Sequence, residues 1–274
     1  MRLVNMNHSK IAIFSLLLLL MSSCRDGKSE ADEVMTFKRV KMEKTIPLNN
    51  EKDSPKCTVF LDMYYASDED GEPGRRLNST IISDLFNFYG EVMPIACERF
   101  IKNFHEDYIA DLTPLYNQDR NNPERREWYD YHYVVTTDVD QGNGPFINYI
   151  INLNCYEGNA IESNQHIIMN FDKATGYQLE ADSIFAKGYK PRLTKMLLTA
   201  LMQKMEVENM NELRALGYLK NMQMYVPENF MLGPDNITFV FNPSEIAPME
   251  KGSTEIIFSY QQLQPLLRSS FHHL

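Results

Sequence analysis

Between Phe146 and Tyr156, apolar and amide side chains take turns. Ile147, Tyr149, Ile151, Leu153 and Cys155 fall on one side of an extended chain, and Asn148, Asn152 and Asn154 fall on the other. Successive strand residues point to opposite faces, so this reads as a strand with one face on a core and its polar face outward. Antiparallel sheets permit that arrangement, whereas parallel sheets covered on both sides do not. Trp128 to Thr137 and Gln165 to Phe171 read as strands on either side of it. Asp138, Asp140, Gly142 and Gly144 lie between the first two strands. They read as a hairpin turn rather than a calcium loop, because the glycine and closing glutamate of such a loop are misplaced.

Helical spacing takes over elsewhere. After Ser79, a residue type suited to capping, Ile82, Leu85, Phe86, Tyr89, Met93, Cys97, Phe100, Ile101, Phe104 and Tyr108 recur at three and four. This predicts a helix over 79–110, kinked or broken near 90–93 because Pro94 lacks a backbone donor. Pro191 opens a second helix, 191–206, whose Leu193, Met196, Leu197, Ala200, Leu201 and Met205 form a core stripe. Thr58 to Tyr65 is a further strand, closed by a turn over Ser67 to Gly74. Ile237, Phe239 and Phe241 alternate, Glu255 to Ser259 makes another strand, and Leu263 to Leu267 a short helix. The predicted class is α+β: an antiparallel β-sheet packed against two main α-helices, with a short C-terminal helix. Residues 55–274 are expected to form one domain, with a possible subdomain boundary near 173–190. Residues 24–54, polar and without an apolar period, are expected to be a flexible stalk.

The first residues carry Arg2 and Lys10, then the apolar run Ile11 to Met21, then Ser22-Ser23-Cys24. That is the layout of a secretory signal, here residues 1–23. At ~1.5 Å per residue the run reaches roughly 16 Å, too short to cross a ~30 Å hydrocarbon core. Met21-Ser22-Ser23-Cys24 resembles the lipobox of bacterial lipoproteins, with Met21 in place of the commoner leucine. The resemblance implies cleavage before Cys24, lipid on that cysteine, and export to a membrane tether. Arg25, rather than aspartate, after the cysteine points to the outer membrane where a cell has two.

The chain has 27 basic and 37 acidic residues; loss of Arg2 and Lys10 leaves 25 minus 37, a mature charge of −12. An acidic surface disfavours nucleic acid and anionic lipid and favours a cationic partner. Cys57, Cys97 and Cys155 are odd in number and lack zinc spacing, so neither a metal nor a cofactor is expected, and Cys97 reads as a small buried hydrophobe. The chain contains no Gly-x-Ser-x-Gly, Ser-x-x-Lys, His-Glu-x-x-His or phosphate-loop motif. His105, His132, His166, His272 and His273 read as structural, although a strand histidine meeting Asp172 would be a base candidate. No enzymatic activity is expected.

Several segments together resemble a known family. They are Tyr156-Glu157-Gly158-Asn159-Ala160, Asn170-Phe171-Asp172, Thr175-Gly176, Asp182-Ser183-Ile184-Phe185, and Phe239 to Pro248 with Gly252. Over most of residues 57–268 the pattern is similar to RsiV-like extracytoplasmic domains, which occur as lysozyme-sensing ectodomains of anti-sigma factors and beside peptidoglycan deacetylases. The resemblance implies an envelope binding or sensing module whose ligand is a lysozyme-like protein or a peptidoglycan fragment. Its ligand residues would be Tyr156, Glu157 and Asn159. Ile161 stands where the family commonly has histidine, so no role of that histidine carries over. A hydrolase or deacetylase accessory and a purely structural envelope lipoprotein are the alternatives.

Overall fold

A computed structural model describes residues 34–142, 144–158 and 162–272. The signal segment, Cys24 and Asn159 lie outside the described residues. Among those described, no helix is long and apolar enough to cross a membrane.

The first lobe comprises β1 (Phe37–Pro47), β2 (Lys56–Ala66), α1 (Gly71–Phe86), α2 (Met93–Asp119), β3 (Tyr131–Asp140), β4 (Phe146–Glu157) and β5 (Ser163–Asp172). Its five strands form one sheet in chain order. The pairs are antiparallel except β2 with β3, which runs parallel. The sheet is therefore mixed, not purely antiparallel as expected. Between β2 and β3 the chain passes through two helices, and such a crossover returns it to the same end of the sheet. The hairpin between β3 and β4 is formed as expected, with Asp140 accepting from the Gly142 amide.

Both helices cover one face of this sheet. α1 buries Leu77, Ile81, Ile82 and Phe86, and α2 buries Met93, Cys97, Ile101, His105, Tyr108 and Leu112. Against them lie Val59, Leu61, Met63, Val135, Ile147, Tyr149 and Ile151, all at 0% exposure. The predicted break is present: α1 ends in a left-handed Asn87, and Pro94 occupies the first turn of α2, where its missing donor costs no helical bond. Ser79 does not cap the helix, which starts eight residues earlier at Gly71. The cap is Ser67, paired reciprocally with Asp70 at a 3-10 turn that leads into α1.

The expected stalk is also corrected. Residues 37–47 pair with β2 along its whole length, from Phe37 opposite Ala66 to Pro47 opposite Lys56. Only Val40 is fully buried, with Met42 and Ile46 partly so; Lys38, Arg39, Lys41, Glu43 and Lys44 are exposed. Edge strands carry such charges to discourage pairing with other chains, which dilutes the apolar period to the point of resembling a linker.

The second lobe holds α3 (Ala181–Ile184), α4 (Lys190–Lys204), α5 (Met210–Ala215), β6 (Phe230–Leu232), β7 (Asn236–Phe241), β8 (Thr254–Ser259) and α6 (Tyr260–Leu263). β6, β7 and β8 form a separate antiparallel sheet. α4 was expected on the first sheet; its Leu193, Leu197 and Leu201 instead belong to a second core with Phe230, Phe239, Phe241 and Leu263. The α+β class holds, with two sheets in place of one. Apart from Phe146 of β4, whose side chain joins the second core, burial passes along the chain from the first core to the second between Phe171 and Ile184.

Candidate functional site: a cleft between two sheets

β5 is an edge strand, so its outward backbone groups need partners from elsewhere. Asparagine side chains of the second lobe supply them. The Asn242 amide accepts from the His166 N–H at 2.8 Å and donates to the His166 carbonyl at 2.9 Å. Asn229 accepts from the Ile168 N–H and donates to the His166 carbonyl, both at 2.8 Å. In the reverse direction, Asn170 donates to the Phe230 carbonyl at 2.9 Å and accepts from the Leu232 N–H at 3.1 Å. A carboxamide carries a donor and an acceptor in one plane, like a peptide, and so can replace a missing strand.

Asn148 joins this junction through a 3.0 Å bond to the Leu232 carbonyl, at 3% exposure. The amide face of β4 was expected to look outward. Near Asn148 it faces β6, because the second sheet covers that end.

Beside the junction lies a cavity of 590 Å³, adjoined by one of 480 Å³ with which it shares Asp84, Ile168, Tyr225 and Glu228. These volumes fall in the range of small-ligand sites. Asp84 comes from α1 and Ile168 from β5, while Tyr189 and Lys190 come from the start of α4. Five carboxylates line the two cavities (Asp84, Glu180, Asp182, Glu228 and Glu245) against one lysine, Lys190, whose ammonium is 3.8 Å from Asp182. Burial, then the nearby Asp182, pushes the Tyr189 hydroxyl up to about 12; burial, then Glu245, does the same to Tyr225. Both phenols stay protonated at neutral pH. Such a wall favours a positive group.

The sequence-derived site residues are divided. Tyr156 is half-buried, its ring 6.2 Å from that of His132. Glu157, next in the strand, points to the opposite face and lines a separate cavity of 240 Å³ with Phe104, Asp107, Asp111 and Tyr131. Neither borders the larger cleft. Gly158 has φ +62°, and a Cβ there would stand 1.7 Å from the Trp128 carbonyl oxygen, so this position is fixed by backbone packing. Gly176 meets the Pro73 carbonyl in the same way, at 2.1 Å. The family-like residues Asn170, Gly176 and Asn242 thus hold backbone in place.

His166 and Asp172 sit six residues apart on β5, about 20 Å along the strand, and cannot form a dyad. The three thiols are free. Cys57 on β2 and Cys155 on β4 are separated by β3, roughly 10 Å across, beyond the ~7 Å reach of a disulfide. Cys97 sits 3.9 Å from the Met63 sulfur, and burial pushes its thiol up to about 12, so it behaves as the buried hydrophobe expected. Asn242, Asp182 and Glu245 lie in the family-like segments but had no role assigned from the sequence, and Asn229, Asp84, Glu180 and Glu228 went unread, since single asparagines and carboxylates carry no periodic signal.

Two sheets with separate cores, stitched by asparagines beside an acidic cleft, define a two-lobed α+β protein. Within it, residues 182–261, from α3 into α6, match the family described as "Protein of unknown function (DUF3298)". The chain is similar to the solved structure of a DUF3298 family member from Bacteroides fragilis, at 26% identity and TM-score 0.78, covering 86% of this chain and 94% of that one. A DUF3298 family protein from Pseudomonas aeruginosa, at 13% identity and TM-score 0.59 over 87% and 97% of the two chains, shares the fold. Comparison with curated proteins gives no match.

Proposed function

We propose that this is an exported lipoprotein, tethered through Cys24, whose two-lobed body binds a cationic partner in the cell envelope. The observation that carries the reading is the cleft between the sheets, with five carboxylates against one lysine. The resemblance to RsiV-like domains adds the ligand class: a lysozyme-like protein, or alternatively a peptidoglycan fragment. Binding is favoured over catalysis because the amides beside the cleft are already engaged with backbone groups. A membrane tether fits a body that reaches the anchor through a short connection, since β1 begins at Phe37. The outer membrane is the proposed location where a cell has two.

Calorimetric titration of the protein with lysozyme, and separately with muropeptides, tests the ligand. Binding of lysozyme that is lost in Asp84→Lys/Glu228→Lys is the expected result, and absence of heat from folded protein with either ligand would remove it. The tether is tested independently by fatty-acid labelling, with label expected on the wild type and absent from Cys24→Ala.

A further inference from the structure

The two sheets have four edges, and three are closed to further strands. β1 presents Lys38, Arg39, Lys41 and Lys44; β5 is held by Asn229 and Asn242; β6 is held by Asn170. The fourth, β8, is different. The Val240 N–H bonds to the Asn229 carbonyl, away from β8, so Val240 and its partner Glu255 form a pair without mutual hydrogen bonds. The backbone groups of Glu255, Ile257 and Ser259 therefore point away from the sheet. Lys204 takes the Glu255 carbonyl at 2.8 Å, and Gln262 takes the Ser259 N–H at 2.9 Å. Among the described residues, the N–H and carbonyl of Ile257 have no partner, and its side chain is 58% exposed. No charge guards the strand at that position.

Between this edge and α4 runs a groove of 390 Å³ floored by Met196, Ala200 and Phe258. Arg192 and Lys195, both exposed, line it, and no carboxylate does. On a chain of net charge −10, this is a positive surface beside an open strand edge.

We propose that the β8 edge docks an extended, acidic segment of a partner protein. The segment adds as a fourth strand through the Ile257 backbone, sets alternate apolar side chains into the groove, and lays its carboxylates against Arg192 and Lys195. Main-chain bonds supply affinity in strand addition, while alternate side chains supply selectivity. The charge of the groove selects the occupant, independently of the cleft reading.

The test uses the full chain in detergent and two short fluorescein-labelled peptides, one alternating valine with glutamate and one alternating valine with lysine. Anisotropy should report binding of the glutamate peptide only. Ile257→Pro removes an N–H that the sheet does not use and should abolish binding, since proline is tolerated where an edge N–H faces outward. Arg192→Glu/Lys195→Glu, on the exposed face of α4, should weaken binding at least tenfold, and decides the matter if the proline variant misfolds. Equal binding of both peptides, or binding unchanged in the variants, overturns the proposal. So does concentration-dependent self-association that Ile257→Pro reverses, because the occupant is then a second copy.

Discussion

Gly158 and Gly71 share a positive φ of 62° but differ in surroundings. A Cβ at residue 71 meets nothing within 4 Å, whereas one at 158 would collide with the Trp128 carbonyl. Gly71→Ala should therefore cost only backbone strain, about 1–3 kcal/mol at φ 62° and ψ −138°. Gly158→Ala should cost clearly more, because the 3-10 turn over Pro123–Tyr129 that leads into β3 must move; urea midpoints of the two variants provide the comparison. Asn170→Leu, with the same branching and number of heavy atoms, strands the Phe230 carbonyl and the Leu232 N–H inside the junction. At about 1–3 kcal/mol for each buried unpaired group, a loss of roughly 2–6 kcal/mol is expected in equilibrium unfolding. The glycine belonged to a recognisable segment, but the role of Asn170 was not legible. An asparagine has the same polarity whether it faces water or another sheet's backbone.

At the scale of elements, β1 shows where a composition-based reading fails. A chain starting at residue 55 loses the strand that pairs β2 from Lys56 to Ala66 and that covers the core with Val40, Met42 and Ile46. It should aggregate or lose cooperative unfolding, whereas a chain starting at residue 34 should not; gel filtration and thermal melts would separate the two. α2 carries a second consequence. Burial, then the nearby Lys44 ammonium, holds the His105 imidazole below its ordinary value of 6.5. The unfolded chain thus binds this proton more readily, and stability from the neutral ring is lost as pH falls below about 6.5. Asp62 stays ionised through that window, since the hydrogen bond from Arg39 holds its carboxyl below the usual carboxylate range. His105→Leu should flatten the decline in unfolding free energy between neutral and mildly acid pH, read by chemical denaturation across that range.

For the whole molecule, the asparagine stitches determine whether the lobes melt together. Asn229→Ala/Asn242→Ala frees the edge of β5 while leaving both cores intact, so calorimetry should resolve one transition for the wild type and two for the variant. Binding of a cation at the cleft should weaken as salt is added, because exposed charges are screened within a Debye length of ~8 Å near physiological strength. The sequence by itself determined β4, β5, β7, the break before α2, the start of α4 and the α+β class. Each rests on local periodicity or on a single proline, and local rules act wherever the chain goes. Tertiary structure alone decided that β1 belongs to the sheet, that β2 and β3 run parallel, that α4 serves a second core, and that asparagines close the edge beside an acidic cleft. Those outcomes depend on which apolar face meets which and on which backbone groups remain unpaired once they have met, and residues distant in sequence settle both only by coming together in space.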